Sequence, residues 1–187
     1  SGDQDILFAV YDNTGAMLTP MLQAGLNYGD TDNDFSSPTV TALKDGGFIL
    51  FYSNGGEESG VRGRRYDEQG NAIGADFLVE DVDQDAIVSA VQVGDSLVNV
   101  SYEVDGSVYT KLIAIEKVFT TPETLGENIA LRADASYPNT VALENGNFVV
   151  VYMRQQGNNE KLYGRMLTPQ GERIGDEFAL DYGGYAL

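Results

Sequence analysis

Pro38-Thr-Val-Thr-Ala-Leu-Lys-Asp-Gly-Gly-Phe-Ile-Leu-Phe-Tyr52 returns further along the chain as Pro138-Asn-Thr-Val-Ala-Leu-Glu-Asn-Gly-Asn-Phe-Val-Val-Val-Tyr152, 100 residues later and without a gap. The stretch from Gly63 to Phe77 likewise matches Gly164 to Phe178, one loop residue out of step. Halfway between lies a worn copy: Ile87-Val-Ser-Ala-Val91, Leu97-Val-Asn-Val-Ser-Tyr102 and Val108-Tyr-Thr-Lys-Leu-Ile113. Self-similarity at a period of roughly 50 residues is the mark of an array of supersecondary units. The N-terminus supplies half a unit, because Tyr11-Asp-Asn-Thr-Gly15 aligns with Tyr66-Asp-Glu-Gln-Gly70, and Leu22 aligns with Phe77.

Within a unit every signal is that of a β-strand. Thr39 to Leu43 reads as a short strand A, and Asp45-Gly46-Gly47 as a hairpin turn. Phe48 to Tyr52 is strand B, Val61 to Tyr66 strand C, and Ile73 to Glu80 ends in strand D. Four short antiparallel strands cannot bury a face alone and must stack on neighbouring units. No window sustains the i, i+3, i+4, i+7 spacing of a helix. The fold class expected is therefore all-β: four-stranded antiparallel meanders, arranged as a small β-propeller of about four blades. A curved β-sandwich or an open fragment of a longer array is the alternative. One domain, 1–187, is divided into a partial repeat (3–25), a repeat (37–80), a degenerate repeat (86–127), a repeat (136–180) and a possible closing strand (181–187).

Composition removes whole classes of chemistry. The 187 residues include 29 Asp and Glu against 11 Lys and Arg, a formal charge of −18, with no His and no Cys. Nucleic-acid binding needs a cationic surface to displace phosphate counterions and is excluded. Without imidazole or thiolate there is no common Zn, Cu, Fe–S or haem site, and no Ser-His-Asp or Cys-His nucleophile. Any metal must be hard and oxygen-bound, and any catalysis must rest on carboxylates, Tyr, Lys or Arg. No apolar run reaches the length of a membrane helix, so no membrane insertion is expected.

The pattern P-x-V-x-A-L-x-D-G-G-F-x-x-x-Y, a variable loop, then G-x-R-x-Y-D-x-x-G-x-x-I-G-x-x-F, resembles a repeat of very large secreted bacterial proteins, the RTX-type calcium-dependent adhesins. The resemblance covers 37–80 and 136–180 well, 5–24 in part and 86–125 poorly. It implies an extracellular or cell-surface setting, a monomeric module within a larger chain, and Ca²⁺-assisted grip on sugars or peptide termini.

The acidic residues cluster. Asp30-Thr-Asp32-Asn-Asp34 and Asp81-Val-Asp83-Gln-Asp85 fall at the same place in the repeat, the link from strand D to the next strand A. Alternate carboxylates on a turn can converge on Ca²⁺, which takes 6 to 8 oxygens. These are not EF-hands: Phe35 stands where the loop glycine belongs and Thr41 where its bidentate Glu belongs. The loops from B to C are long and polar and should emerge on the same face as the D-to-A links. They bring Asn54, Glu57, Glu58, Asp105, Asn158 and Asn159 as candidate ligand contacts, while Tyr28 and Tyr137 in the links offer rings for stacking on a sugar or peptide. Solvated acidic and polar loops are the bland reading of the same residues.

Tyr52, Tyr102 and Tyr152 share one register and read as packing residues with satisfied hydroxyls. Arg62, Arg64, Arg65, Lys111 and Arg165 on strand C read as outer-strand solubility and edge protection. Asn99-Val-Ser101 matches a glycosylation sequon but sits within a strand. A glycosidase needs two carboxyl groups across a cleft, one with a raised pKa, and Glu103 and Glu116 come nearest to an acid embedded in apolar sequence. The expectation is thus a non-catalytic, calcium-dependent binding module of a bacterial adhesin, its partner a glycan or peptide on a host or neighbouring cell. The alternatives are a structural spacer and a carboxylate-based glycosidase or lyase.

Overall fold

The computed structural model describes residues 5–24, 35–55, 59–82, 85–116 and 123–180. Strands β1 (Leu7–Phe8) and β2 (Leu22–Gln23) form a two-stranded sheet. Three four-stranded antiparallel sheets follow, each a meander in chain order: β3 (Phe35–Ala42), β4 (Phe48–Asn54), β5 (Gly60–Tyr66) and β6 (Ala72–Glu80); β7 (Ile87–Val93), β8 (Leu97–Val104), β9 (Ser107–Ala114) and β10 (Glu123–Ala133); β11 (Ala135–Ala142), β12 (Phe148–Gln156), β13 (Asn159–Leu167) and β14 (Arg173–Ala179). The architecture is all-β and propeller-like. The second unit runs on to Ala133, past the expected end near 127, because β10 pairs with β9 through two register shifts.

Turn chemistry repeats with the sequence. In the A-to-B turns Leu43 N donates to Gly47 O and Leu143 N to Asn147 O, each at 2.8 Å, with Gly46 and Gly146 at positive φ. In the C-to-D turns Asp67 N donates to Asn71 O, and the half unit repeats it from Asp12 N to Ala16 O. The sheet β1–β2 is thus the C–D half of a blade.

The alternation along strand B explains the stacking. Leu50 and Tyr52 pack toward the half unit, with Ile6, Phe8 and Ala24, while Ile49 and Phe51 on the opposite face join Val88, Val100 and Ile113 of the second unit. A strand apolar on both faces belongs to a sheet covered on both sides. The equivalent residues Val98, Val100 and Tyr102 face the first unit, and Phe148, Val150 and Tyr152 face the second. Strands β3, β7 and β11 lie side by side as the inner strands. The expected closing strand, 181–187, lies outside the described residues.

One sequence expectation is corrected here. Strand C is not an outer edge, since β5 pairs with both β4 and β6, so its basic residues are drawn inward. Arg62 Nε meets Asp76 Oδ2 at 2.8 Å with both side chains nearly buried, Arg65 pairs with Asp45, and Lys111 Nζ meets Glu80 at 2.8 Å. Asn99 of the sequon is wholly buried, and its amide donates to Thr110 within a polar seam where Ser101 Oγ accepts from Thr140 Oγ1 at 2.8 Å, linking the second and third units.

Candidate functional site

Two kinds of loop meet between the second and third blades. Asp105 and Gly106 form the two-residue turn joining β8 to β9, both at positive φ (51° and 65°), which is the Asp-Gly hairpin geometry that matches strand twist. Asp134 is the single residue between β10 and β11, held at φ 54°. Ala135 N donates to Gly106 O at 2.9 Å, pinning the link onto the turn. Across from them the β12–β13 hairpin brings Arg154, Gln155 and Glu160. Together with Ser136 these residues line a cavity of about 280 Å³.

Three carboxylates from two loops and one hairpin therefore face one space with a single guanidinium. Arg154 Nη1 is held at 2.9 Å by Glu177 Oε2, and its guanidinium lies over the Tyr163 ring at 5.2 Å. Glu177 also accepts from the Tyr152 hydroxyl at 2.7 Å. Burial first, and the neighbouring Glu177 second, push the Tyr152 hydroxyl up to about 12, so it stays a donor at neutral pH. The first unit has the same acid–tyrosine pairing in Asp76 and Tyr52, with a long 3.4 Å contact, but takes its cation from Arg62 on strand C instead of from strand B. Asp76, buried, and Glu177, half-buried, are thus more enclosed than Glu116, which is exposed.

The residues singled out from sequence are placed unevenly. Asp105 lines the cavity. Asn158 and Asn159 are exposed on the β12–β13 hairpin beside Glu160. Tyr137 follows Ser136 with an exposed ring and φ 53°, at a bulge preceding Pro138. Asn54 is wholly buried, because β4 continues two residues past Tyr52 and pairs Asn54 with Gly60 on one side and Phe35 on the other; its amide is not offered to a ligand. Asp81 and Asp85 are exposed, and Asp85 Oδ1 accepts from Ser36 Oγ at 2.9 Å. Asp30, Asp32, Asp34, Asp83, Tyr28, Glu57 and Glu58 lie outside the described residues. Among the described residues no three acidic side chains gather as a metal cage, and four of the six carboxylates expected to hold Ca²⁺ lie outside them. Asp134, Ser136, Arg154 and Glu160 were not singled out as site residues. The only sequence signal for them is their position in links and hairpins that one face of a repeat array must share.

No family profile and no curated protein matches the sequence. Solved structures do share the fold. A protein of unknown function from Dyadobacter fermentans superposes with a TM-score of 0.55 at 19% identity, covering 77% of this chain and 40% of that one. A xylan β-1,4-xylosidase from Bacillus halodurans gives 0.54 at 11% identity over 82% of this chain and 33% of its own. An α-L-arabinofuranosidase from Podospora anserina, solved with cellotriose, gives 0.51 at 11% identity over 76% and 49%. The chain spans a third to a half of the length of these structures. They establish a propeller-type fold, and they correct one expectation, that of a non-catalytic module, because the same architecture frames an arabinofuranosidase and a xylosidase.

Proposed function

We propose that this chain is part of a glycan-hydrolysing propeller, with the cleft between the second and third blades as its sugar site and Asp134 and Glu160 as the reacting carboxyl pair. The observation that supports this best is the meeting of carboxylates from separate elements, Asp105 and Asp134 on one wall and Glu160 on the other, in one cavity of a fold shared with glycosidases. Glycoside hydrolysis needs one carboxylic acid to protonate the leaving oxygen and one carboxylate to activate water or attack the anomeric carbon. Asp134 stands on a one-residue link tied to the neighbouring turn, and Glu160 on a regular hairpin, so both are carried on ordered backbone. Ser136 and Gln155 offer a hydroxyl and an amide to sugar hydroxyls, and Arg154, steadied by Glu177, supplies the cation. No step of this reading uses Ca²⁺.

The test is turnover of aryl α-L-arabinofuranosides, aryl β-D-xylosides and xylan by the intact chain. Asp134→Asn and Glu160→Gln are each expected to cut the rate by about 10² to 10⁴, with an unchanged circular-dichroism spectrum and with Asp81→Asn as the neutral control. Saturable glycan binding without turnover would remove the hydrolase. Turnover surviving both substitutions would remove the site.

A further inference from the structure

Among the described residues, the inner strand of the first blade lacks a cover that its counterparts have. Pro38 and Val40 are exposed, Val40 to 63%, whereas the residues at the same register one unit later, Val88 and Ala90, are 7% exposed and half-buried. Two units later Pro138 is buried and Thr140 is 8% exposed. What covers them is the inner half of the preceding blade: Ile49 and Phe51 pack with Val88, and Ser89 and Ser101 bond to Thr140. Among the described residues only the C–D half, β1–β2, stands in front of the first blade. Its packing still buries Tyr52 and Tyr66 behind Ile6, Phe8 and Ala24, but nothing among the described residues occupies the place of strands A and B. A cavity of about 510 Å³ opens there, walled by Leu7, Val10 and Tyr11 on one side and by Pro38, Val40 and Leu50 on the other. Among the described residues β1 pairs with β2 alone, whereas every complete strand C pairs on both edges.

We propose that this groove seats a further A–B hairpin of the chain's own repeat type: two antiparallel strands joined by a Gly-bearing turn, apolar at alternate positions, with strand B hydrogen-bonded to the edge of β1 opposite β2. The argument is continuity with the interfaces already formed. The wall presents the same register positions that the second and third blades bury against their predecessors, so the occupant is defined by the residues that do this elsewhere, such as Ile49 and Phe51. Main-chain bonds to a strand edge supply affinity, and the alternate apolar side chains supply register. The inference does not depend on the proposed hydrolysis, which is placed between other blades.

The probe is a labelled synthetic peptide with the sequence of residues 36–54, titrated onto the intact chain. Saturable binding that raises the melting temperature is expected. Val40→Asp and Leu7→Asp, both at exposed positions that leave the fold intact by circular dichroism, should each weaken it by about tenfold or more, since an unpaired carboxylate would be buried. Val141→Asp, at an exposed position on the opposite face of the third blade's inner strand, should leave binding unchanged. Absence of saturable binding, or binding indifferent to Val40→Asp, overturns the proposal. So does a dimer seen by sedimentation that Val40→Asp dissociates, because a second copy would then be the occupant.

Discussion

Phe178 lies across Gly164 so closely that a β-carbon on the glycine would stand 2.6 Å from the ring. The first blade repeats the arrangement: a β-carbon on Gly63 would meet Phe77 at 2.7 Å and Phe51 at 2.8 Å. The glycine and phenylalanine that recur in the repeat are one packing unit, cross-strand partners of β5–β6 and of β13–β14. Gly63→Ala is expected to cost about 1–3 kcal/mol, because Phe77 is buried and hemmed in by Phe51. Gly164→Ala should cost less, because Phe178 is partly exposed and free to swing outward. Urea unfolding of the two variants checks the order.

Burial of the Tyr152 hydroxyl, and after it the bond to Glu177, makes stability depend on alkaline pH. The hydroxyl titrates near 10 when unfolded and is raised to about 12 in the folded chain, so its contribution is fully present below pH 10 and is lost as pH rises from 10 toward 12. Tyr102 is raised in the same direction by burial, with Glu80 second. Tyr152→Phe is expected to lower stability at neutral pH by about 1–2 kcal/mol and to flatten the alkaline decline; melting temperatures across that range measure both.

Arg62 and Asp76 are a nearly buried ion pair, their side chains 12% and 3% exposed. Removing one partner strands the other charge, so Arg62→Met should cost about 3–5 kcal/mol, while Arg62→Met with Asp76→Leu should recover much of that loss. A double-mutant cycle in denaturant reads the coupling. Additive losses would show that the pair is not coupled.

Acid should loosen the C-to-D turns of the half unit and first blade. Asp12 is held below its ordinary value by the Thr14 hydroxyl, then by the backbone N–H groups of Ala16 and Thr14; Asp67 is held low by the Asn71 amide first. A lowered folded pKa gives stability that is present above the unfolded value of 3.8 and is lost as pH falls below it. Asp12→Asn and Asp67→Asn should each reduce the acid dependence of the melting temperature. The matching turn of the third blade uses the Thr168 hydroxyl, which accepts from Glu172 N at 3.1 Å and does not titrate there, so Thr168→Asn should leave that dependence unchanged.

The strand pattern and the turns were legible because they are local. Period-two alternation in Phe48 to Tyr52 and glycine at Gly46, Gly70, Gly146 and Gly171 act within a few residues, and the repeat prints them again. The burial of Asn54 was hidden because it depends on how far β4 runs past Tyr52. The strand-C cations were misread as edge residues because sequence shows their alternation but not the carboxylates of Asp45, Asp76 and Glu80 that pair with them.

What the sequence determined by itself is the β-meander, its period and the absence of imidazole and thiol chemistry, since each follows from residue types and short spacings. What only the tertiary structure decided is which loops share a space. Asp105, Asp134 and Glu160 are separated by tens of residues and come together only when β11 packs against β7 and β8, and the groove beside Val40 is visible only because, among the described residues, the same register is covered in two blades and bare in one. Packing between units turns a one-dimensional repeat into a surface with distinct places, and no single unit carries that information.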